Sequence, residues 1–166
     1  MSIFQNQISV YNGVTDNIGT TTSLGDFLFC KEYKGEIMKL RTIANKDERN
    51  VIKRTLPQAT ISGVFHPTRA KNHLSQHSGL ICVDIDAKDN PEIKDWERLK
   101  QDLSVLPQIA YCALSVSGKG LFVIIPLRYP QKHLLQFRQL QMDFSKMGIA
   151  LTSPDCVACR MTSILL

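Results

Sequence analysis

The chain has 166 residues, 43% of them hydrophobic and 21% charged, with a formal net charge of +5. These values fit a single domain, residues 1–166, with a core of its own, and they exclude a disordered chain. No apolar run reaches membrane-spanning length, the polar N-terminus carries no signal-peptide pattern and the cysteine count is odd, so a cytoplasmic chain with reduced thiols and no membrane partner is expected.

Met1 to Phe29 is rich in Asn, Thr, Ser and Gly. It reads as an irregular segment running to residue 34, with one short strand around Ile8 to Tyr11. Asn45 to Leu56 predicts a short helix stopped by Pro57, and Ala59 to Phe65 a strand. His66 to His77 is a polar, basic connection with Arg69, Lys71 and three histidines whose spacing matches no standard metal site. Gly79 to Ile85 predicts a buried strand. Pro91 to Leu106 follows as a helix, with Ile93, Trp96, Leu99, Leu103 and Leu106 at helical spacing. Gln108 to Ser115 and Leu121 to Leu127 predict two strands, and Pro130 to Met147 a long helix capped by Gly148. A last strand is expected over Ile149 to Leu151. The ending, Ser163-Ile164-Leu165-Leu166, stops in mid-pattern, as expected of a truncated product or a domain boundary.

From residue 79 onward the order is strand, helix, strand, strand, helix, strand. This is the split βαβ order of ferredoxin-like and RNA-recognition folds, which sets the first strand beside the third. The expected class is α+β, an antiparallel or mixed sheet with helices on one face.

Two features carry chemistry. In Leu80-Ile81-Cys82-Val83-Asp84-Ile85-Asp86 the carboxylates are two apart, so a strand projects Asp84 and Asp86 from one face while Val83 and Ile85 turn to the other. Adjacent carboxylates repel unless a cation lies between them, and hard ions such as Mg²⁺ or Mn²⁺ prefer such oxygen donors. The second feature is Ser115-Val116-Ser117-Gly118-Lys119-Gly120, a short connection between strands. Glycines let backbone N–H groups approach an anion, and Lys119 adds positive charge, but the spacing is not that of a P-loop. Cys156-Val157-Ala158-Cys159 has CxxC spacing with no second pair, which favours a structural role over zinc or redox chemistry. Cys82 and Cys112 read as core fillers.

Together the acidic pair and the S-x-S-G-K-G connection resemble the first two motifs of the archaeo-eukaryotic primase superfamily, which includes primase-polymerases. The blocks Leu56-Pro57, Ile61 to Phe65, Gly79 to Asp86, Ser115 to Gly120 and Gly148 to Arg160 are most similar to the VirE N-terminal domain family of bacterial mobile elements. That resemblance implies a two-metal nucleotidyl-transfer site. Asp84 and Asp86 would be catalytic and hold Mg²⁺ or Mn²⁺, with Asp155 as a further ligand, and Ser117, Gly118, Lys119, Gly120 and Arg160 would hold a nucleoside triphosphate. The implied partners are a DNA or RNA template and a helicase-like protein or domain.

Two positions depart from the superfamily pattern. Phe122 stands where the second motif has a histidine, and Thr152 falls at the third acidic position, with Asp155 three residues beyond. Three functions remain open: a primase-polymerase-type nucleotidyltransferase, a catalytically degenerate nucleotide- or nucleic-acid-binding module, and an unrelated ferredoxin-like interaction domain.

Overall fold

The computed structural model describes residues 2–151 and the backbone of Arg160–Met161. Its N-terminal part is more regular than the polar composition predicts. Strand β1 (Gln7–Tyr11) pairs antiparallel with β2 (Thr20–Ser23), and the short helix α1 (Leu24–Leu28) follows at once. Ser23 caps α1 by accepting from the Asp26 N–H. Ile8, Tyr11, Leu24 and Leu28 are fully buried although the segment that carries them is rich in Asn, Thr, Ser and Gly. Helix α2 (Lys34–Thr42) has no counterpart among the sequence expectations, because its two buried residues, Ile37 and Leu40, are too few to reveal a period. Helix α3 (Lys46–Thr55) starts where Asn45 predicts, the Asn45 Oδ1 accepting from the N–H groups of Asp47 and Glu48.

The expected strand over residues 59–65 divides into β3 (Gln58–Thr60) and β4 (Gly63–Phe65), and the 66–77 connection supplies β5 (Leu74–His77), paired with β4. Strand β6 (Leu80–Asp86) carries the carboxylates. Helix α4 (Trp96–Ser104) is shorter than the expected 91–106, because Asp95 rather than Pro91 begins it: the Asp95 carboxylate accepts from the Arg98 N–H. Strands β7 (Tyr111–Leu114) and β8 (Gly120–Pro126) precede α5 (His133–Lys146), which is entered through a 3-10 turn at Pro130–Lys132. Gly148 ends α5 with φ +74°. Its N–H donates to Ser145 and that of Ile149 to Phe144, both at 3.0 Å, forming a Schellman cap.

Residues 149–151 do not form the expected strand. The side chain of Asn90 takes the place of a neighbouring strand. Its amide donates to the Ala150 carbonyl (2.9 Å) and accepts from the Ala150 N–H (2.7 Å). Strand β9 (Arg160–Met161) pairs with β3.

The described residues form three antiparallel sheets, of order β2-β1-β3-β9, β4-β5 and β6-β8-β7, so the fold is α+β and the first strand of the split βαβ unit lies beside the third, as expected. The two faces of β6-β8 bury different neighbours. Ile81, Val83 and Ile85 with Leu121, Val123 and Ile125 pack on Leu103 of α4 and on Phe137 and Phe144 of α5. Leu80, Cys82, Phe122 and Ile124 pack on Ile8, Leu24, Leu28 and Ala59 of the N-terminal layer. The helices α4 and α5 thus occupy one face, and the second face is closed by β1, β3 and α1. Each fully buried aliphatic side chain contributes about 1.5–3 kcal/mol, which is why β6, buried on both faces, is apolar without interruption until Asp84. Among the described residues no helix is long and apolar enough to cross a membrane.

Candidate functional site

Strand β6 places Asp84 and Asp86 on the face of Leu80 and Cys82, one and two steps beyond the point where the apolar cluster ends. Both are half-buried. Asp84 lies opposite Phe122 and Asp86 opposite Gly120 in the β6–β8 ladder. On the other side of β8, Ala113 lies opposite Phe122, and the Ser115 N–H donates to the Gly120 carbonyl at 2.9 Å. Asp86, Gly120 and Ser115 therefore form one row across the sheet, and Gly120, between the two, has no side chain. The glycine is also required by the close approach of the strands. Its φ is +150°, and a Cβ there would lie 2.6 Å from the Ile85 carbonyl oxygen.

The S-x-S-G-K-G connection is the turn that joins Ser115 to Gly120 in this row. Ser115 Oγ and Ser117 Oγ are 3.2 Å apart. The Gly118 N–H donates to the Ser115 carbonyl at 2.8 Å, so this amide is engaged within the turn. Lys119 is exposed. The connection is held from outside by α2: Arg41 donates through Nε to the Val116 carbonyl (3.1 Å) and through Nη2 to the Ser115 carbonyl (3.2 Å). Val116 itself is buried with Ile37, Leu40 and Leu56. Burial lowers the Arg41 pKa from its ordinary value, while Glu97 opposes the shift; the guanidinium stays charged.

Lys53 of α3 is half-buried rather than exposed on its helix. Burial pushes its pKa down, Asp86 acts in the opposite direction, and Arg49 pushes it down further. Asn90, fully buried, donates to the Asp86 carbonyl at 3.0 Å while bonding Ala150, so it ties the end of β6 to the segment after α5. Arg41, Lys53 and Asn90 escape a motif search because their roles come from tertiary packing.

Two half-buried carboxylates on one strand face are a donor set of the kind that holds Mg²⁺ together with phosphate and water oxygens. Among the described residues no group of three or more His, Cys, Asp or Glu side chains is arranged as a metal cage.

The matched family can now be set against this geometry. Residues 51–146, more than half of the chain, match the BT4734-like N-terminal domain. The chain belongs to the BT4734-like N-terminal domain family. The BT4734-like span contains both carboxylates, the S-x-S-G-K-G connection and Lys53, and begins after α2 and the β1–β2 pair. No curated protein and no solved structure matches the chain.

Other expected positions fall elsewhere. Asp155, Thr152 and the pair Cys156 and Cys159 lie outside the described residues, as does the side chain of Arg160. The three loop histidines separate: His66 is exposed, His73 Nδ1 is 2.8 Å from the Thr68 hydroxyl, and His77 Nε2 is 3.1 Å from His133 Nδ1. Arg69 donates to Gln58 and to the Val14 carbonyl and stacks 4.7 Å from the Tyr11 ring centroid, which makes it part of the fold. Cys112 is a core filler as expected, burial pushing its thiol up to about 11.

Proposed function

We propose that the chain is a primase-polymerase-like domain of a mobile-element replication protein, which binds a metal–nucleotide complex and nucleic acid. The observation that carries this is the row formed by Asp86, Gly120 and Ser115, with Asp84 on the same face: the carboxylate pair and the S-x-S-G-K-G connection share one end of one sheet. Asp84 and Asp86 would hold Mg²⁺ or Mn²⁺. Such an ion, when bound, acts as a Lewis acid on a 3′-hydroxyl and neutralises charge on a pyrophosphate leaving group. Ser117 donates to a phosphate oxygen, Lys119 adds a mobile ammonium at the rim, and Arg160 supplies a further phosphate contact. The motifs shared with the VirE N-terminal domain family, the partners expected from them (a DNA or RNA template and a helicase-like protein) and a cytoplasmic location belong to this reading.

A second reading is favoured by one observation. Phe122, opposite Asp84, is buried and its ring centroid is 5.7 Å from that of Tyr111. A packed phenylalanine donates nothing to a phosphate, so the site keeps the groups for binding and lacks one group for turnover. In this case the chain is a nucleotide- or nucleic-acid-binding module without polymerase activity.

A template-directed extension assay with Mn²⁺ or Mg²⁺ separates the two. Incorporation that both Asp84→Asn and Asp86→Asn abolish supports the enzyme. No incorporation, with metal-dependent nucleotide binding that both variants lose, supports the binding module. Binding that neither substitution alters, or no binding at all, rejects both and leaves an interaction domain.

A further inference from the structure

Helices α2 and α3 flank the S-x-S-G-K-G connection, and they concentrate the charge of the molecule. Residues 31–54 hold eight Lys and Arg against four Asp and Glu, a surplus of four in a chain whose net charge is +5. Two kinds of contact fix this helix pair on the site. Arg41 bonds the carbonyls of Ser115 and Val116, and Ile37, Leu40 and Leu56 bury the Val116 side chain, with Ile52 packed against the same cluster. Lys53 follows Ile52. Its half-buried ammonium lies within electrostatic reach of Asp86 and closes no ion pair or hydrogen bond among the described residues. A partly desolvated ammonium with unused donors is stabilised by an anion, and the anion that a metal-loaded carboxylate pair attracts is a phosphate.

We propose that the α2–α3 pair is the phosphate-contacting wall of the site, with Lys53 as the residue that donates to the polyphosphate of the bound nucleotide. This rests on the nucleotide-binding reading above and adds to it an element and a residue. Arg41 is a positioning residue, since its bonded nitrogens hold the carbonyls of the S-x-S-G-K-G connection. Lys53 supplies the fixed positive charge that no side chain at position 122 provides.

The test is titration of the full chain in Mn²⁺ with dATP and, separately, with inorganic tripolyphosphate. The variants are Lys53→Gln, Lys53→Arg and, as an exposed control away from the helix pair, Lys146→Gln at the end of α5. Lys53→Gln is expected to weaken both ligands by about tenfold, Lys53→Arg to stay within about threefold of the parent, and Lys146→Gln to change neither. Equal losses for the two ligands identify phosphate, rather than base or sugar, as the group contacted. Binding of dATP by the parent that Lys53→Gln leaves unchanged overturns this proposal and leaves the nucleotide site standing. No binding by the parent overturns the nucleotide site and the proposal with it. If Lys53→Gln does not fold, Lys53→Met keeps the apolar stem and is read by the same outcomes.

Discussion

Gly120 shows how one residue couples the fold to the site. It pairs with Asp86 in the β6–β8 ladder, and the place a side chain would take is filled by the backbone of β6. The atom that an added methyl would meet is the Ile85 carbonyl oxygen, which belongs to the backbone of β6, paired with β8 along its whole length. Gly120→Ala is therefore expected to cost about 2–3 kcal/mol, read as a shift of the urea midpoint. Lys119→Ala, one residue earlier and exposed, is expected to stay within about 0.5 kcal/mol of the parent. Equal stability of the two variants would mean that the strands do not approach as described. Asn90 makes the same point for polar residues. A buried amide replaces a strand neighbour for Ala150 and bonds the carbonyl of Asp86, so the carboxylate strand ends at a fixed place. No local pattern marks this role of Asn90, because its Ala150 partner lies 60 residues away in the chain.

At the scale of elements, the junction between β5 and α5 carries a pH dependence. The Gly79 N–H donates to His77 Nδ1 at 2.9 Å, which leaves the His77 proton on Nε2, facing His133 Nδ1 at 3.1 Å. A second proton on either ring breaks one of these bonds, and the other charged group lining the adjoining cavity, Lys71, is also cationic. Burial pushes the His77 pKa below its ordinary value of 6.5. The folded chain therefore binds protons less readily than the unfolded chain here. The stability is fully present above the unfolded value and is lost as pH falls below about 6.5 toward the lower, folded value. Urea unfolding at pH 7.5 and pH 5.5 is expected to show a drop that His77→Gln makes smaller. A variant whose drop equals that of the parent would show that His77 does not titrate in this range.

For the whole molecule, legibility follows the distribution of apolar residues. The C-terminal half could be read because β6, β8 and α5 are continuous apolar or periodic runs whose order, strand-helix-strand-strand-helix, restricts the topology. In the N-terminal half the strand at Ile8 to Tyr11 and the helix after Asn45 could be read, but β2, α1 and α2 could not, since Leu24 and Leu28 gain their burial with Ile8 by closing the second face of the β6–β8 sheet rather than by any local pattern. The candidate site divides in the same way. Asp84, Asp86 and the S-x-S-G-K-G connection are local signals, and strand adjacency turns them into one row. Arg41 and Lys53 come from helices that are polar along most of their length, and only the packing of Val116 against Ile37, Leu40 and Leu56 brings them there.

The central claim is that this row binds a metal-loaded nucleotide. Isothermal titration of the chain with dATP, with and without Mn²⁺, tests it most directly when repeated on Asp84→Asn and Asp86→Asn. The expected result is binding that requires Mn²⁺ and falls by more than about tenfold in each variant, with thermal melting close to that of the parent. Binding that is independent of Mn²⁺ and unchanged in both variants would contradict the claim, and so would the absence of binding by the parent.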